Sequence, residues 1–431
     1  MKKIIVVGGG LSGIAASVFL AEKGIESLLI EASPKLGGRT YSFNYTTQNE
    51  IIDNGQHILM GCYHHTLDFL KITNSLNKVE FQDNLEVNFV ASSGKIFQLK
   101  ADGLFYPLNL LKGILAYKAL TVNERFSILS CFLKLLFINQ KHIKKKNTFQ
   151  LLKEFNQSDN SIKSFWEIIH VGTLNTDMKK SSAELFVNIL KIIFFSGSKS
   201  LKIVLPKLGL SEVFVENSVK YLIDRNCEIS TSERLINLES ENGIIKKLVT
   251  NKREIVNFDF VVSAIPQFAL KKIDPITDLI DSSFELNYSP ILSVHIWLKQ
   301  NPFIEKFYAL IDSDIHWLFN NKRHITLVTS SADKLLKYDD KEIMSNFLSE
   351  LEKRFDSFNK EMVIDYKILR EKRATFIADE VCEEKRLNLK RRYGNLILAG
   401  DWTNTNLPST IEGAIKSGFL ASNEIIKEKF Y

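Results

Sequence analysis

Cysteine is scarce in this chain, and its spacing excludes several classes of protein. The four cysteines, Cys62, Cys131, Cys227 and Cys382, lie far apart and form no Cys-x-x-Cys pair. This spacing argues against a disulfide framework or a cysteine-based metal site, and it is typical of a reducing compartment. Charge is nearly balanced, with 56 Lys and Arg against 50 Asp and Glu, so it gives no argument for nucleic-acid binding.

Long apolar runs, internal repeats and hydrolase motifs are also absent. No apolar stretch reaches the roughly eighteen residues that a membrane-spanning helix needs. No nucleophile elbow supports Ser-His-Asp catalysis. The pair His64-His65, and Asp312 and Asp314 with His316, have no further ligands at metal-binding spacing, so we expect no metal. The length of 431 residues suffices for two domains with sizeable cores.

The first forty residues carry the most specific pattern. An apolar strand at 4–7 runs into a glycine turn, a helical segment follows, and a second strand ends on Glu31. In this nucleotide-binding pattern Gly8 permits the turn, Gly10 lets a pyrophosphate approach the backbone, and Gly13 lets the helix pack on the strand. We therefore predict an α/β fold with a Rossmann-type dinucleotide-binding domain.

The helix after the glycine turn is expected to bind phosphate. Its first residues, Leu11 and Ser12, present free N–H groups and the positive end of the helix dipole. The Glu31 carboxylate is placed to accept hydrogen bonds from ribose hydroxyls. It would also repel a 2′-phosphate, which favours NAD or FAD over NADP.

The segment after the acidic residue resembles the FAD-dependent superfamily of amine oxidases and carotenoid desaturases. That superfamily has an R-x-G-G-R segment where this chain has K-L-G-G-R, so Lys35 keeps the first positive charge. Two glycines open backbone N–H groups to an anion, and an arginine adds a planar, permanently charged fork. The resemblance implies that the following residues bind FAD: Ala32, Gly37, Gly38, Arg39 and Thr40.

The C-terminal part carries a second portion of the same resemblance. A buried apolar strand at 396–399 leads into Gly-Asp-Trp-Thr, and a helix begins shortly afterwards. In the resembled superfamily this acid contacts the ribityl chain or pyrophosphate. The helix N-terminus points at the pyrimidine edge of the flavin, where reduced flavin carries negative charge. The resemblance thus adds the following residues to the cofactor site: Gly400, Asp401, Thr410, Ile411 and Glu412.

The two FAD-binding ends imply a discontinuous domain organisation. We predict a Rossmann-type FAD-binding domain of the GR2 flavoprotein type with an inserted α+β substrate domain. The FAD-binding domain is expected from residues 1–75, 205–274 and 390–431. The substrate domain is expected from 76–204, which reads as helical and apolar, and from 275–389.

A short β-meander is expected inside the second FAD-binding segment. Asn242-Gly243 is a hairpin signal between apolar runs at 235–238 and 244–249. In the resembled superfamily a meander covers the adenine, which implies that the backbone of Leu235 lies near it.

The segment from Asp53 to Tyr63 distinguishes the branches of the superfamily. Its D-N-G-Q-H version of the superfamily's D-x-G loop resembles one branch, the squalene-associated hydroxysqualene dehydroxylases. Three further segments agree, at 205–214, 370–376 and 398–412. The resemblance covers nearly the whole chain. It implies an enzyme that replaces the hydroxyl of hydroxysqualene with hydrogen, giving squalene for hopanoid or other isoprenoid biosynthesis.

The same loop supplies the candidate catalytic residues. By resemblance, Gly55, Gln56 and His57 lie at the flavin. We predict that His57 protonates the departing hydroxyl, because an imidazole pKa near 6.5 lets it hold a proton close to neutral pH. Asp53 would position it. The alternative is that His57 only bonds to a backbone carbonyl while Asp53 ties the turn.

Two apolar segments raise the question of membrane contact. Phe126–Ile138 is followed directly by a basic cluster at 141–146, and a second apolar segment covers 185–195. An apolar helix beside lysines is typical of a protein on an anionic membrane surface. We therefore expect a cytoplasmic protein, peripheral to the inner face of the cell membrane. The alternative is that both segments are ordinary core helices.

Three other functions remain open at this point. They are a phytoene-type desaturase or isomerase, a flavin amine oxidase, and a non-enzymatic FAD-bearing partner of a terpenoid synthase complex. The segment 205–214 lacks the double glycine of amine oxidases, and the intact 55–57 segment counts against a non-enzyme. No motif identifies the electron donor or the oligomeric state.

Overall fold

A five-stranded parallel sheet forms the nucleotide-binding part of the molecule. The structure is a computed structural model that describes residues 3–270, 273, 284–389 and 393–430. All neighbouring strands of this sheet run parallel, in the order β10-β2-β1-β14-β20. The strands are β1 (Ile4–Val7), β2 (Ser27–Ile30), β10 (Glu228–Ser230), β14 (Phe260–Ser263) and β20 (Leu396–Leu398). Their nearly continuous apolar sequences suit a sheet covered on both faces, and the predicted α/β fold is confirmed.

Helices from both ends of the chain pack together beside this sheet. The helices of this part are α1 (Leu11–Glu22), α2 (His64–Ile72), α10 (Asn217–Ile223) and α14 (Ile411–Phe430). A side chain at Gly418 of α14 would clash with the backbone of Ser12 and Ala16 of α1. The two helices therefore approach closely, because glycine and small residues meet at their contact.

Three small sheets connect to the nucleotide-binding sheet. They are the hairpin β3 (Ser42–Tyr45) and β4 (Glu50–Asp53), the sheet β5 (Leu59–Met60), β6 (Val79–Phe81) and β9 (Ile203–Pro206), and the meander β11 (Leu235–Glu241), β12 (Ile244–Thr250) and β13 (Glu254–Ile255). Asn242 and Gly243 have φ angles of 52° and 74°, as a type I′ turn requires. The predicted hairpin is confirmed.

A seven-stranded mixed sheet organises the second part of the molecule. Its order is β19-β15-β18-β17-β16-β7-β8, and its only parallel pair among the described residues joins β16 to β7. The strands are β7 (Leu85–Val90), β8 (Ile96–Ala101), β15 (Tyr288–Leu298), β16 (Phe307–Leu310), β17 (Trp317–Asn320), β18 (His324–Ser330) and β19 (Val363–Phe376). The helical interpretation of 76–204 is thus wrong for β6, β7 and β8. Strands β6 and β7 pair with β9 and β16, which lie far along the chain and which local periodicity does not reveal. Strand β8 pairs with β7 in a local hairpin that the sequence analysis overlooked.

The remaining helices surround the seven-stranded sheet. They are α3 (Leu108–Ala116), α4 (Val122–Phe137), α5 (Gln140–Ile143), α6 (Thr148–Glu154), α7 (Asp159–Ser161), α8 (Glu167–Leu174), α9 (Ala183–Phe194), α11 (Gln267–Leu270), α12 (Asp340–Arg354) and α13 (Glu380–Leu387). Single π-helical turns occupy Ile162–Trp166 and Glu212–Glu216. Helix α9 is buried on most of its surface, so the apolar segment 185–195 is a core helix. Across the described ranges, no helix is both long and apolar enough to cross a membrane.

The two large sheets use strands from different ranges of the chain. Every strand of the parallel sheet falls in a range assigned to FAD binding, and every strand of the mixed sheet falls in a range assigned to the substrate domain. The domain boundaries themselves stay a prediction. The boundary between 274 and 275, the start of the last segment at 390, and residues 1 and 431 lie outside the described residues.

The close contact of α1 and α14 predicts a strict requirement for glycine at position 418. Gly418→Val should lower the free energy of unfolding by about 1–3 kcal/mol, because the added side chain overpacks a rigid helix–helix contact. Thermal unfolding measures the effect. Lys427→Ala, on an exposed site of the same helix, is the control and should change stability little. Equal stability of the two variants would contradict the packing described here.

Candidate active site

The glycine turn between β1 and α1 has one glycine for packing and one that faces open space. A side chain at Gly13 would clash with the carbonyl oxygen of Gly8, whose φ is +110°. At Gly10, by contrast, the nearest described atom to an added Cβ would be Gly38 Cα, at 4.0 Å. The backbone of Gly10 thus borders a space that a pyrophosphate could fill.

The N-terminus of α1 lies at this open space. Its N-cap is Gly10, which has no side chain to occupy the free N–H groups of Leu11 and Ser12. The second predicted segment lies directly beside it, since Gly37 donates its N–H to the Gly9 carbonyl at 2.8 Å. The structure therefore brings the two glycine-rich segments together.

Residues 37–40 form a tight turn against the first glycine segment. Gly37 and Gly38 have φ angles of 109° and 59°, and Thr40 donates its N–H to the Gly37 carbonyl at 2.9 Å. A Cβ at Gly38 would lie 3.0 Å from Gly10 Cα. Glycine is required here both for the left-handed backbone and for the close approach.

Glu31 stabilises the glycine turn. One carboxylate oxygen accepts the Gly9 N–H at 2.6 Å, and the other accepts the Ser33 N–H at 2.7 Å. Ala32, between them, is exposed. Each carboxylate oxygen can accept a second hydrogen bond, so Glu31 can hold the turn and still accept a ribose hydroxyl.

The β-meander approaches the same acidic residue. Glu233 donates its backbone N–H to the Glu31 carbonyl at 2.8 Å, and Leu235 begins β11 two residues later. This pairing brings Leu235 to the end of the parallel sheet at which β2 finishes. The contact of Leu235 with an adenine stays a prediction.

An ion pair joins the N-terminal and C-terminal segments. The Arg39 guanidinium lies 2.7 Å from an Asp401 oxygen, and the Ser409 hydroxyl donates to the other oxygen. Arg39 also donates to the Ala374 carbonyl at 2.8 Å. Burial alone would raise the pKa of Asp401, but Arg39 outweighs that effect and lowers it. Asp401 is therefore ionised, and it holds Arg39 beside the two glycine turns. We call the space bordered by these turns and by the N-termini of α1 and α14 the cofactor cradle.

A second arginine, which the sequence analysis missed, holds the C-terminal loop. The Arg386 side chain is fully buried and donates to the Thr403 carbonyl at 2.7 Å and to the Leu407 carbonyl at 2.8 Å. It also pairs with Glu383 at 2.6 Å and stacks on Phe376. A buried guanidinium needs several acceptors, but nothing in the local sequence indicates that these would be carbonyls of the 401–407 loop.

The N-terminus of α14 is the second helix end at the site. The Thr410 hydroxyl accepts the Gly413 N–H at 3.0 Å, so the first two N–H groups, of Ile411 and Glu412, stay available to a ligand. The Asp401 side chain lies near this helix end, since it accepts the hydroxyl of Ser409, which precedes Thr410. Gly400, before Asp401, has a φ of 141°. At this helix end, backbone N–H groups rather than side chains are therefore available to a ligand.

The Glu412 carboxylate bonds to the start of α2 and is not available to the cofactor. It accepts the Thr66 hydroxyl at 2.7 Å and the Thr66 N–H at 2.9 Å, and it pairs with His65 at 2.9 Å. Burial alone would raise the pKa of Glu412, but these hydrogen bonds outweigh it and lower the pKa. The side chain thus ties the start of α2 to the start of α14, which leaves only the backbone of Glu412 for a cofactor.

Asp53, the first residue of the D-N-G-Q-H motif, is buried at the end of β4. One carboxylate oxygen, Oδ1, accepts both the Ser42 hydroxyl at 2.7 Å and the Leu210 N–H at 2.8 Å. Burial raises the pKa of Asp53 to about 6, although both hydrogen bonds act to lower it. Both bonds fall on Oδ1, so Oδ2 is the oxygen that can carry a proton.

The His57 ring bonds to a backbone carbonyl, as the alternative interpretation of this loop expects. Its Nδ1 lies 2.8 Å from the Gly55 carbonyl, which fixes the proton on Nδ1 and leaves Nε2 as an acceptor. Burial lowers the pKa of His57, which disfavours the charged, proton-donating form. The bonds described for Asp53 go to Ser42 and Leu210 rather than to His57. Gln56, between Gly55 and His57, is half-buried.

Two buried polar atoms at this loop have no hydrogen-bond partner among the described residues. They are Asn54 Oδ1 and Ser293 Oγ. A Cβ at Gly55 would lie 3.2 Å from Ser293 Oγ. The Ser293 hydroxyl therefore lies against the same loop that contains Asn54. Buried polar groups normally bond to protein, water or ligand. These atoms, together with the open space at Gly10, fit a polar cofactor with a phosphate-bearing tail.

No group of metal-binding side chains accompanies this site. In the described ranges, three or more His, Cys, Asp or Glu side chains do not come together in an arrangement that could hold a metal ion.

Two helix N-termini, two glycine turns and the Arg39–Asp401 ion pair converge at the carboxyl ends of the parallel strands, an arrangement typical of a dinucleotide-binding protein. Residues 11–426 match the family described as "Flavin containing amine oxidoreductase". The chain belongs to this family. It is an FAD-dependent oxidoreductase, and the expectation of an FAD cofactor is confirmed.

Individual proteins with known names are also similar to the chain. A hydroxysqualene dehydroxylase from Rhodopseudomonas palustris is 25% identical, with 99% of this chain and 98% of that protein covered. One from Zymomonas mobilis is 24% identical, with 97% of each covered. The crystal structure of an oxidoreductase from Methanosarcina mazei aligns with a TM-score of 0.74 at 13% identity, covering 99% of this chain and all of that one. The structural likeness shows the fold.

The open space at Gly10 predicts a selective loss of cofactor binding. Gly10→Val should abolish FAD binding, because its side chain would fill the space in front of the backbone. It should not unfold the protein, because the nearest described atom to the new Cβ, Gly38 Cα, lies 4.0 Å away and does not clash. Flavin absorbance of the purified variant measures binding, and circular dichroism of the apoprotein is the control. Full flavin absorbance in Gly10→Val would show that FAD does not bind in the space at Gly10.

The Arg386 contacts predict a large effect on stability. Arg386→Met should lower the free energy of unfolding by about 3–5 kcal/mol, because it removes the partner of buried carbonyls and of Glu383. Lys427→Met, at an exposed position of α14, is the control and should change stability by less than about 0.5 kcal/mol. Thermal unfolding compares the two. Similar values for both variants would mean that the C-terminal loop does not depend on this arginine.

Proposed function

We propose that the chain catalyses the reductive dehydroxylation of hydroxysqualene to squalene. The observation that carries the proposal is the end-to-end similarity to hydroxysqualene dehydroxylases of two bacteria, which covers at least 97% of each chain. The D-N-G-Q-H loop supports it, because Asn54 Oδ1 in the loop and Ser293 Oγ near it are buried and find no partner in the part of the chain that the structure describes. The family alone does not distinguish this reaction from amine oxidation or desaturation.

The proposed chemistry needs an acid and a dry, apolar space. The carbon that bears the hydroxyl is allylic, so protonation of the oxygen lets water leave and gives a delocalised cation. A reduced flavin, when bound, supplies the hydride that this carbon accepts. The protein must hold the isoprenoid in line with the flavin and keep bulk water away from the cation.

The residues proposed to hold FAD are those predicted from the sequence. Side chains and backbone of the first segments supply the phosphate and ribose contacts, and the start of α14 supplies N–H groups for the flavin ring. The set comprises Gly8, Gly10, Leu11, Ser12, Gly13, Glu31, Ala32, Gly37, Gly38, Arg39, Thr40, Gly55, Gln56, His57, Leu235, Gly400, Asp401, Thr410, Ile411 and the backbone of Glu412.

Asp53 is the better candidate for the acid, and His57 for an acceptor. An acid that works near neutral pH must be protonated there, and a pKa of about 6 leaves part of the Asp53 population protonated. His57 is neutral, with Nε2 free to accept the hydrogen of the substrate hydroxyl. In this assignment His57 orients the hydroxyl and Asp53 donates the proton.

An apolar isoprenoid substrate also bears on where the protein works. Such a molecule resides in lipid, so an enzyme that uses it gains from contact with the bilayer. We propose peripheral attachment to the inner face of the cell membrane, supported by the apolar and basic character of residues 126–146.

Purified protein tests the reaction directly. Hydroxysqualene with a chemical reductant should give squalene, detected by gas chromatography, and phytoene with an electron acceptor should remain unchanged. Desaturation of phytoene would favour the desaturase alternative, and hydrogen peroxide production with amines would favour an amine oxidase. Absence of all three activities in flavin-loaded protein would support a non-enzymatic partner.

The assignment of the acid predicts a pH dependence. Protonated Asp53 predominates below its pKa, so turnover should fall as pH rises through about 6. Asp53→Asn should lower turnover by roughly a hundredfold or more and remove this pH limb. His57→Gln should lower turnover less and keep the limb. Flavin absorbance confirms that both variants retain cofactor. A pH limb that disappears in His57→Gln and persists in Asp53→Asn would reverse the two roles.

A further inference from the structure

We propose that the outer sides of α3 and α4 form one lipid-contact surface that binds an anionic bilayer. The two helices are consecutive and pack against each other, and their inner sides are buried in the same core. Their outer sides therefore face away from the protein together. We call this surface the α3–α4 face. It rests on the membrane attachment proposed above and deepens it, because it adds helix α3, which the sequence analysis did not consider.

Helix α3 and the loop before it expose a run of large apolar side chains. The exposed residues are Leu104, Phe105, Leu108, Leu111 and Leu115, and Phe105 is 73% exposed. Several of them line a shallow groove of about 490 Å³ on the protein surface. Isolated exposed leucines are common, but a contiguous apolar patch marks an interaction site.

Helix α4 carries a matching apolar stripe. Phe126, Leu133 and Phe137 are 59%, 61% and 86% exposed, and Leu136 is also exposed. The positions recur at intervals of three, four or seven residues, so they lie along one side of the helix. The opposite side, with Ile128, is buried. The helix is thus apolar on both sides, which a helix facing water does not need.

The positive charge of the α3–α4 face favours an anionic lipid surface as its partner. Between residues 103 and 153 the chain has nine Lys and Arg and a single acid, Glu124. Lys112 and Lys134 are exposed on the two helices themselves, although Lys112 pairs with Asp102, just before this range, at 2.9 Å. Lys141, Lys144 and Lys145 are exposed just beyond α4. Apolar side chains within a basic rim match an anionic lipid surface, where each lysine adds to the attraction. A second copy of this chain would bring the same positive charge and be repelled.

The structure also refines the basic cluster. Lys146 lies 2.6 Å from Glu154 and His142 lies 2.5 Å from the same carboxylate, so both are engaged within the protein. The exposed lysines at 141, 144 and 145 are the ones that can meet lipid headgroups. The test uses these three and leaves Lys146 in place.

Vesicle flotation tests the surface without measuring activity. The flavin-loaded protein should float with vesicles of mixed phosphatidylcholine and phosphatidylglycerol, and less with phosphatidylcholine alone. Reversing Lys141, Lys144 and Lys145 to Glu should weaken binding by about a hundredfold or more, and high salt should act in the same direction. Phe126→Ser with Phe137→Ser should weaken binding by at least about tenfold. Leu108→Ser with Leu111→Ser tests α3 separately.

Matched substitutions elsewhere on the surface are the controls. Ile304→Ser removes a side chain that is 90% exposed on a different part of the molecule. Reversal of Lys246, Lys322 and Lys341, which are also exposed, matches the change of charge. These variants should bind vesicles as the unmodified protein does. Flavin absorbance and circular dichroism confirm folding of every variant.

The outcomes separate this proposal from the proposed function. Lost binding in the α3–α4 variants, with intact binding in the controls, supports the surface, whatever the protein does to hydroxysqualene in detergent. Equal losses in test and control variants, or unchanged binding in all test variants, would overturn it. A dimer in sedimentation that the phenylalanine variants dissociate, without a change in vesicle binding, would assign the face to a second copy instead.

Discussion

The ion pair between Arg39 and Asp401 joins two segments that are far apart in the sequence at one end of the parallel sheet. Arg39 follows the glycine-rich turn, and Asp401 follows the last strand of the sheet. The close contact of α1 with α14, which Gly418 permits, holds the two segments at the distance that this pair needs. The expected cofactor cradle depends on this arrangement, because both helix N-termini must reach the same space.

Several carboxylates near the site accept hydrogen bonds from backbone N–H groups and so stabilise the protein itself. Glu31 holds the glycine turn, Glu412 ties α2 to α14, and Asp53 joins the β3–β4 hairpin to the segment at Leu210. Burial and hydrogen bonding then separate their pKa values, lowered for Glu412 and raised for Asp53. Acid–base chemistry at neutral pH needs a raised pKa of this kind.

The two apolar segments found in the sequence have opposite surroundings in the structure. Helix α9 is buried in the core, whereas α4 leaves Phe126 and Phe137 exposed beside lysines. Both segments have similar composition, so hydrophobicity alone cannot separate a core helix from a surface one. The difference arises because neighbouring helices and strands cover α9, while nothing among the described residues covers the outer side of α4.

The sequence by itself determined the β-α-β unit, the Asn242-Gly243 hairpin and the family, since each depends on neighbouring residues whose backbone preferences are local. It also identified the glycine-rich segments and the acid at 401. Only the tertiary structure decided that β7 and β8 join the large sheet, that Arg386 holds the C-terminal loop, and that the Glu412 carboxylate faces α2. These features depend on partners distant in sequence, and one chain read alone does not specify which distant groups will meet.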